Sequence, residues 1–211
     1  SAMARFQLAE IIRSESPAEA RMIALKAVDR YPTTIGGKQC HNLIAQIEAK
    51  ELAVATESNW AKPWPAIHVT YRNIDRFHLR LVKADWEERL LEGKPYGYGI
   101  DQKDREQILS LPSIQKGTVV LPPTDDYRSA VKEVPVESVF GTETISPGAY
   151  WVVCSHRGDF SDRDNIVSTT LVWVSRISAV NTTDYQAQLP QHTGYVVDVE
   201  SGKPIHGAEV T

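Results

Sequence analysis

A mainly β chain with an α-helical N-terminal segment is the fold class this sequence predicts, its strands making an antiparallel β-sandwich of roughly seven strands with a helical insertion. Three observations carry that reading. Apolar residues recur at helical spacing over about the first fifty positions. After Leu52 the period drops to two. From there, roughly seven short runs are separated by Gly, Pro, Asp and Asn over about 120 residues, the footprint of two packed sheets. The composition allows such a core: of 211 residues, 42% are hydrophobic and 24% charged.

Ser1-Ala2-Met3 reads as a cloning scar and is set aside, so the absence of a leader says nothing about compartment. Leu8, Ile11 and Ile12 then start a helical pattern. Ser16-Pro17-Ala18-Glu19 predicts a second helix, with Ser16 as N-cap, Pro17 in the first turn and Glu19 closing a capping box. Its apolar stripe is Ala20, Ile23, Ala24, Ala27, Val28 and Tyr31, and Pro32 ends it. A third helix is expected after a Gly36-Gly37 break, with Cys40, Leu43, Ile44 and Ile47 facing inward. The spacing of Ala20, Ala24, Ala27 and Pro32 resembles the second helix of a tetratricopeptide repeat. One repeat cannot bury its own face, so residues 1–51 are expected to close a longer array.

Residues 52–178 carry the sandwich. Residues 66–73 and 77–83 alternate strictly and are joined by Asn73-Ile74-Asp75-Arg76, which predicts an antiparallel pair with one wet face. Residues 85–111 read as an insertion of two short amphipathic helices, Trp86 to Leu91 and Asp101 to Leu111. Strands resume at 115–121, 128–136, 149–155 and 166–174. Residues 179–211 read as the first strands of a second, truncated domain: Tyr195 to Val199, a turn at Glu200-Ser201-Gly202, then Ile205 to Val210. Such a hairpin presents an unpaired edge, so residues 193–211 are expected either to make a homodimer or to fold back on the sandwich.

The chemistry in the sequence is sparse. A net charge of −4 excludes the electrostatic footprint of a nucleic-acid binder. No run approaches the ~20 apolar residues of a membrane span. No phosphate loop, His-Glu-x-x-His or Gly-x-Ser-x-Gly occurs, and Ser155 and His156 are adjacent, on opposite sides of a strand. No catalytic residue and no cofactor are therefore assigned. Asp159, Asp162 and Asp164 form the best metal candidate, but a loop needs Asp for local hydrogen bonds without any ion, and the reading assigns no metal. Cys40 and Cys154 read as two free buried thiols, with a long-range disulfide as the alternative. Trp60, Trp64, Tyr96 and Tyr98 sit in Gly- and Pro-rich loops. They read as lids that plug the sandwich or dock the helices. The alternative is a platform for a sugar or peptide, as in an adhesion module. A platform needs wet, coplanar rings; lids need packed ones.

Several segments together resemble bacterial alpha-2-macroglobulin-like proteins. Residues Val69 to Leu81 are similar to the opening of a macroglobulin domain. Pro147 to Val153, Gly158 to Asn165 and Leu171 to Ser175 are similar to its closing strands. Thr193 to Val210 resembles the first hairpin of the next such domain, and the helices before Leu52 resemble the repeat-rich N-terminal part of some members. The resemblance implies a macroglobulin-like domain at 52–178 and a broad-spectrum protease inhibitor of the bacterial cell envelope, periplasmic or envelope-associated, as the longer protein. It implies proteases and the neighbouring domains of that protein as partners. The family's thioester motif, Cys-x-x-Gln, is not matched: Leu43 and Arg157 stand where Gln would be. By this reading the chain is a structural part and not an enzyme.

Overall fold

The computed structural model describes residues 1–91, 93, 100–141, 145–182 and 194–208. Three helices open the chain: α1 (Ala2–Ile12), α2 (Pro17–Arg30) and α3 (Ile35–Glu48). They close on a core of small residues, with Ala9, Ala20, Ala24, Ala27 and Cys40 fully buried beside Leu43. Ala2 and Met3 belong to α1, so the residues resembling a scar are part of the fold: Ser1 caps the helix by accepting from Ala4 N, and Ala2 is buried.

Two local readings are corrected. Ser16 occupies the N-cap position of α2 but makes no side-chain cap hydrogen bond, so the capping box does not form. Gly36 and Gly37 do not break the chain; they lie in the first turn of α3, capped by the Thr34 hydroxyl, which accepts from Gly37 N at 3.1 Å. Their role is close approach. A Cβ at Gly36 would come within 2.5 Å of Met3 N, so only glycine lets α1 and α3 touch there.

Eight strands up to residue 174 form two sheets, the described part of the sandwich. One has the order β1 (Glu51–Thr56), β3 (Ala66–Arg72), β6 (Ala130–Pro135). The other runs β2 (Asn59–Trp60), β8 (Val167–Val174), β7 (Gly148–Ser155), β4 (Arg76–Lys83), β5 (Ser113–Val120). Pairing is antiparallel except between β2 and β8. The expected seven antiparallel strands are thus replaced by sheets of three and five with one parallel edge.

The expected pair 66–73 with 77–83 is also not formed. β3 pairs with β1 and β6, β4 with β5 and β7, and Asn73 to Asp75 carries the chain from one sheet to the other. The inner faces meet in one core, with Ile67, Val69 and Tyr71 on one side and Phe77, Leu79, Leu81, Val152 and Cys154 on the other.

The far face of the five-stranded sheet is covered too. Ala149, Trp151 and Val153 of β7 pack there with Val82 and Ile108. The insertion supplies that cover: α4 (Trp86–Leu91) and α5 (Gln102–Ser110) lie where the spacing predicts helices. Burial on both faces is why β7 reads as a continuous apolar run and not as an alternating one. A short helix, α6 (Val136–Val139), ends β6 and packs Val139 against Gly117.

β9 (Ile177–Asn181) and β10 (Gly194–Asp198) make a separate antiparallel pair. The other edge of β10 is also taken, by Ile205 N donating to Val196 O at 2.8 Å and Asp198 N to Lys203 O at 3.0 Å. Among the described residues β10 is thus paired on both sides, by β9 and by residues 203–205, and not by a strand of either sandwich sheet.

Candidate functional site

The aromatic candidates separate by burial. Trp60 is 0% exposed; its indole N–H donates to Thr56 Oγ1 at 3.2 Å and its ring packs 6.4 Å from Phe140. It is packed in the core and also lines the cleft that Trp64 borders. Trp64 is half-buried at the edge of a cleft of about 340 Å³, shared with Lys62, Ile145, Pro147, Arg176 and Glu200. Tyr96 and Tyr98 lie outside the described residues.

The carboxylates at 159–164 do not converge. Asp159 accepts from Arg157 at 2.9 Å, and that bond, with a backbone bond from Ser161, holds its carboxyl down to about 2. Asp162 pairs with Arg105 at 2.9 Å, and Asp164 is an exposed turn residue with φ +50°. Among the described residues no group of three or more His, Cys, Asp or Glu could hold a metal ion.

Cys40 and Cys154 are free and buried in different cores. Burial pushes both thiols up from their ordinary value. Ser155 bonds Asn165 and Arg157 backbone, while the His156 ring receives the Ile166 N–H; no nucleophile–base pair exists there. His68 and His78 belong to strands of different sheets and do not pair.

What the structure does bring together is the junction between the helices and the sandwich. Asn73, with φ +56°, sits at the sheet switch and donates its amide to Ile47 O at 2.8 Å and Ala49 O at 3.0 Å. Those are carbonyls that the end of α3 leaves without intrahelical partners. Arg72 Nε adds a longer contact to Ala49 O, and Asn73 N is held by the Thr124 hydroxyl at 2.9 Å. From the other side Arg128 donates to Glu15 O, and Tyr127 packs on the helical core under the Arg21 guanidinium. From sequence, Asn73 reads as a hairpin residue. The usable signal was its tolerance of the left-handed conformation, which pointed to a special turn without saying what the amide would cap.

Beside this junction lies a cleft of about 540 Å³, lined by residues of the α3–β1 link, the sheet switch, the β5–β6 loop and the end of β7. Ile74, Leu121, Pro123 and Tyr127 give it an apolar part; Lys50, Asp75, Arg76, Asp125 and His156 give it charge and donors. Asp75 is held low first by its bond from Arg76, at 3.2 Å, with Lys50 contributing. His156 is lowered by burial first and by the Lys50 charge second.

No helix among the described residues is long and apolar enough to cross a membrane. No protein-family model and no curated protein sequence matches the chain. Two solved structures are similar to it. One is native alpha-2-macroglobulin from Escherichia coli spanning domains MG0-NIE-MG1, at 15% identity and a TM-score of 0.49, covering 74% of this chain and 47% of that one. The other spans domains NIE-MG1 of the same protein, at 15% identity and a TM-score of 0.45, covering 74% of this chain and 73% of that one. The chain therefore spans about half the length of the first.

Proposed function

We propose that this chain is a non-catalytic structural module of an alpha-2-macroglobulin-like protease inhibitor of the bacterial cell envelope, and that its task is to hold neighbouring domains at a fixed angle. The observation that carries the reading is the junction. A side chain of the sheet switch, Asn73, caps the last helix, so the helical segment and the sandwich are tied through backbone carbonyls. The segments at 69–81, 147–175 and 193–210 that resemble macroglobulin domains point to the larger assembly. The packed Trp60 agrees with a lid and not with a platform.

The test is a gel-based pull-down of the longer protein with several proteases, run beside this chain alone. Capture by the longer protein and none by the chain is the expected result. Protease binding or inhibition by the chain alone overturns the scaffold reading. A second reading, a glycan- or peptide-binding module, has one observation in its favour, the half-buried Trp64 at the 340 Å³ cleft. Loss of binding on a glycan or peptide array by Trp64→Ala, with folding intact, is the result that reading needs.

A further inference from the structure

We propose that the junction cleft is a binding site for an organic monocarboxylate on an apolar body, with Lys50 and His156 holding the carboxylate and Leu121 and Tyr127 receiving the apolar part. The site stands on the cleft's own residues and is independent of the scaffold reading.

Its donors are uncommitted. Among the described residues Lys50 has no carboxylate within 4.0 Å, although its charge reaches both Asp75 and His156. The backbone N–H of Ile166 donates to His156 Nδ1 at 3.0 Å, which leaves the proton of the neutral ring on Nε2, and that nitrogen has no partner among the described residues. A cation and a neutral N–H donor lining one cleft, near enough for the Lys50 charge to act on the His156 ring, are a pair that a carboxylate can bridge with both oxygens. Asp75 does not compete for Lys50 as a free anion, because Arg76 engages it at 3.2 Å.

The apolar body follows from the apolar residues of the same lining. Leu121 is 5% exposed and Tyr127 is held with φ +59°, its ring fixed between the helical core and Arg21. About 540 Å³ accommodates one large side chain with a short backbone attached. Asp125, an exposed carboxylate on the same lining, sets the limit on ligand charge: it repels a second negative charge, so a monocarboxylate fits where a phosphate does not. Such a carboxylate can come from the C-terminus of a peptide or from a small aromatic acid.

Calorimetric titration of the 211-residue chain separates these cases, using acetyl-Ala-Ala-Phe as the free acid, the same peptide as its amide, 3-phenylpropionate and inorganic phosphate. The acid is expected to bind, with the amide weaker by on the order of tenfold, the worth of one charge-assisted contact. Lys50→Gln, an exposed position that leaves the fold intact, should weaken the acid by a similar factor, His156→Gln by less, and Lys132→Gln on β6 not at all. Amide shifts in a ¹⁵N spectrum should cluster at Lys50, Asn73 to Arg76 and residues 123–127. Equal affinity of 3-phenylpropionate and the peptide assigns the site to small acids; binding of the peptide alone assigns it to chain ends. Equal binding of acid and amide, preference for phosphate, or no binding at millimolar concentration overturns the proposal.

Discussion

Replacing Asn73 tests the junction directly, because three substitutions pull its two roles apart. Asn73 holds a left-handed conformation and donates to two carbonyls at the end of α3, at 2.8 and 3.0 Å. Each bond is worth about 1 kcal/mol net, and an alanine forced into that conformation costs roughly 1–2 kcal/mol. Asn73→Ala should therefore destabilise by about 3–4 kcal/mol. Asn73→Gly keeps the conformation and loses the donors, so it should cost about 2 kcal/mol, plus a fraction for the freer unfolded chain. Asn73→Asp tolerates the turn but points a carboxylate at two carbonyl oxygens, so it should cost at least as much as glycine at neutral pH. Urea unfolding followed by circular dichroism gives the ranking, and hydrogen exchange in the last turn of α3 shows where the loss falls. If alanine and glycine fall within about 0.5 kcal/mol of the wild type, the side chain caps nothing and the account of the junction is wrong.

Other elements make equally definite predictions. Arg89 is 15% exposed and holds Asp85 at 3.3 Å and Asp104 at 2.6 Å, so Arg89→Ala should cost about 2–4 kcal/mol, with exchange protection lost in α4 and α5 and kept in α2. A Cβ at Gly117 would collide with Val139 Cγ1, so Gly117→Ala should lower the thermal midpoint, and adding Val139→Ala should restore most of it. His156 has its folded value below 6.5, mainly through burial, so the unfolded chain takes up that proton first. Its share of stability is present above 6.5 and declines as pH falls below it, a slope that His156→Gln should remove. The charges of Lys50, Arg157 and Asp159 act on that ring, and the lowered carboxyls of Asp75 and Asp159 add stability of their own that is present above 3.8 and lost as pH falls below it.

Periodicity made the faces of this fold legible, but not the partners. The stripe Ala20, Ala24, Ala27 and the alternation Phe77, Leu79, Leu81 both appear in the cores where the spacing puts them. Alternation is identical whether a turn makes a hairpin or carries the chain across to a second sheet, so 66–83 could be read correctly strand by strand and wrongly as a pair. Arg80 shows the same limit. Its position on the polar phase of β4 predicts exposure, yet the insertion covers it. The guanidinium lies 4.6 Å from the Phe160 ring and donates to Leu109 O, near the end of α5, at 2.7 Å. Gly36 and Gly37 look like a break because glycine usually is one; nothing local tells that α1 lies against Gly36 or that the Tyr31 carbonyl lies against Gly37. The junction cleft is built from four separated stretches, and no single stretch announces it.

The polar side chains at these joints are mostly committed to the fold's own backbone. Arg80 serves Leu109, Arg105 serves Val167 and Asp162, Arg128 serves Glu15, and Ser155 serves Arg157 and Asn165. A donor already satisfied inside the protein gains little by moving to a substrate. That is the observation that supports the proposed scaffold role. It also singles out the exceptions, since Lys50 and His156 Nε2 are donors with no partner among the described residues at one cleft. They stand beside Asn73, whose amide fixes α3 to the sandwich. A ligand held by Lys50 would rest on the link from α3 to β1 on one side and on the sheet switch on the other. Occupancy of the cleft would then add to the same joint that Asn73 makes, and the stability lost in Asn73→Gly should be partly recovered when the cleft is filled.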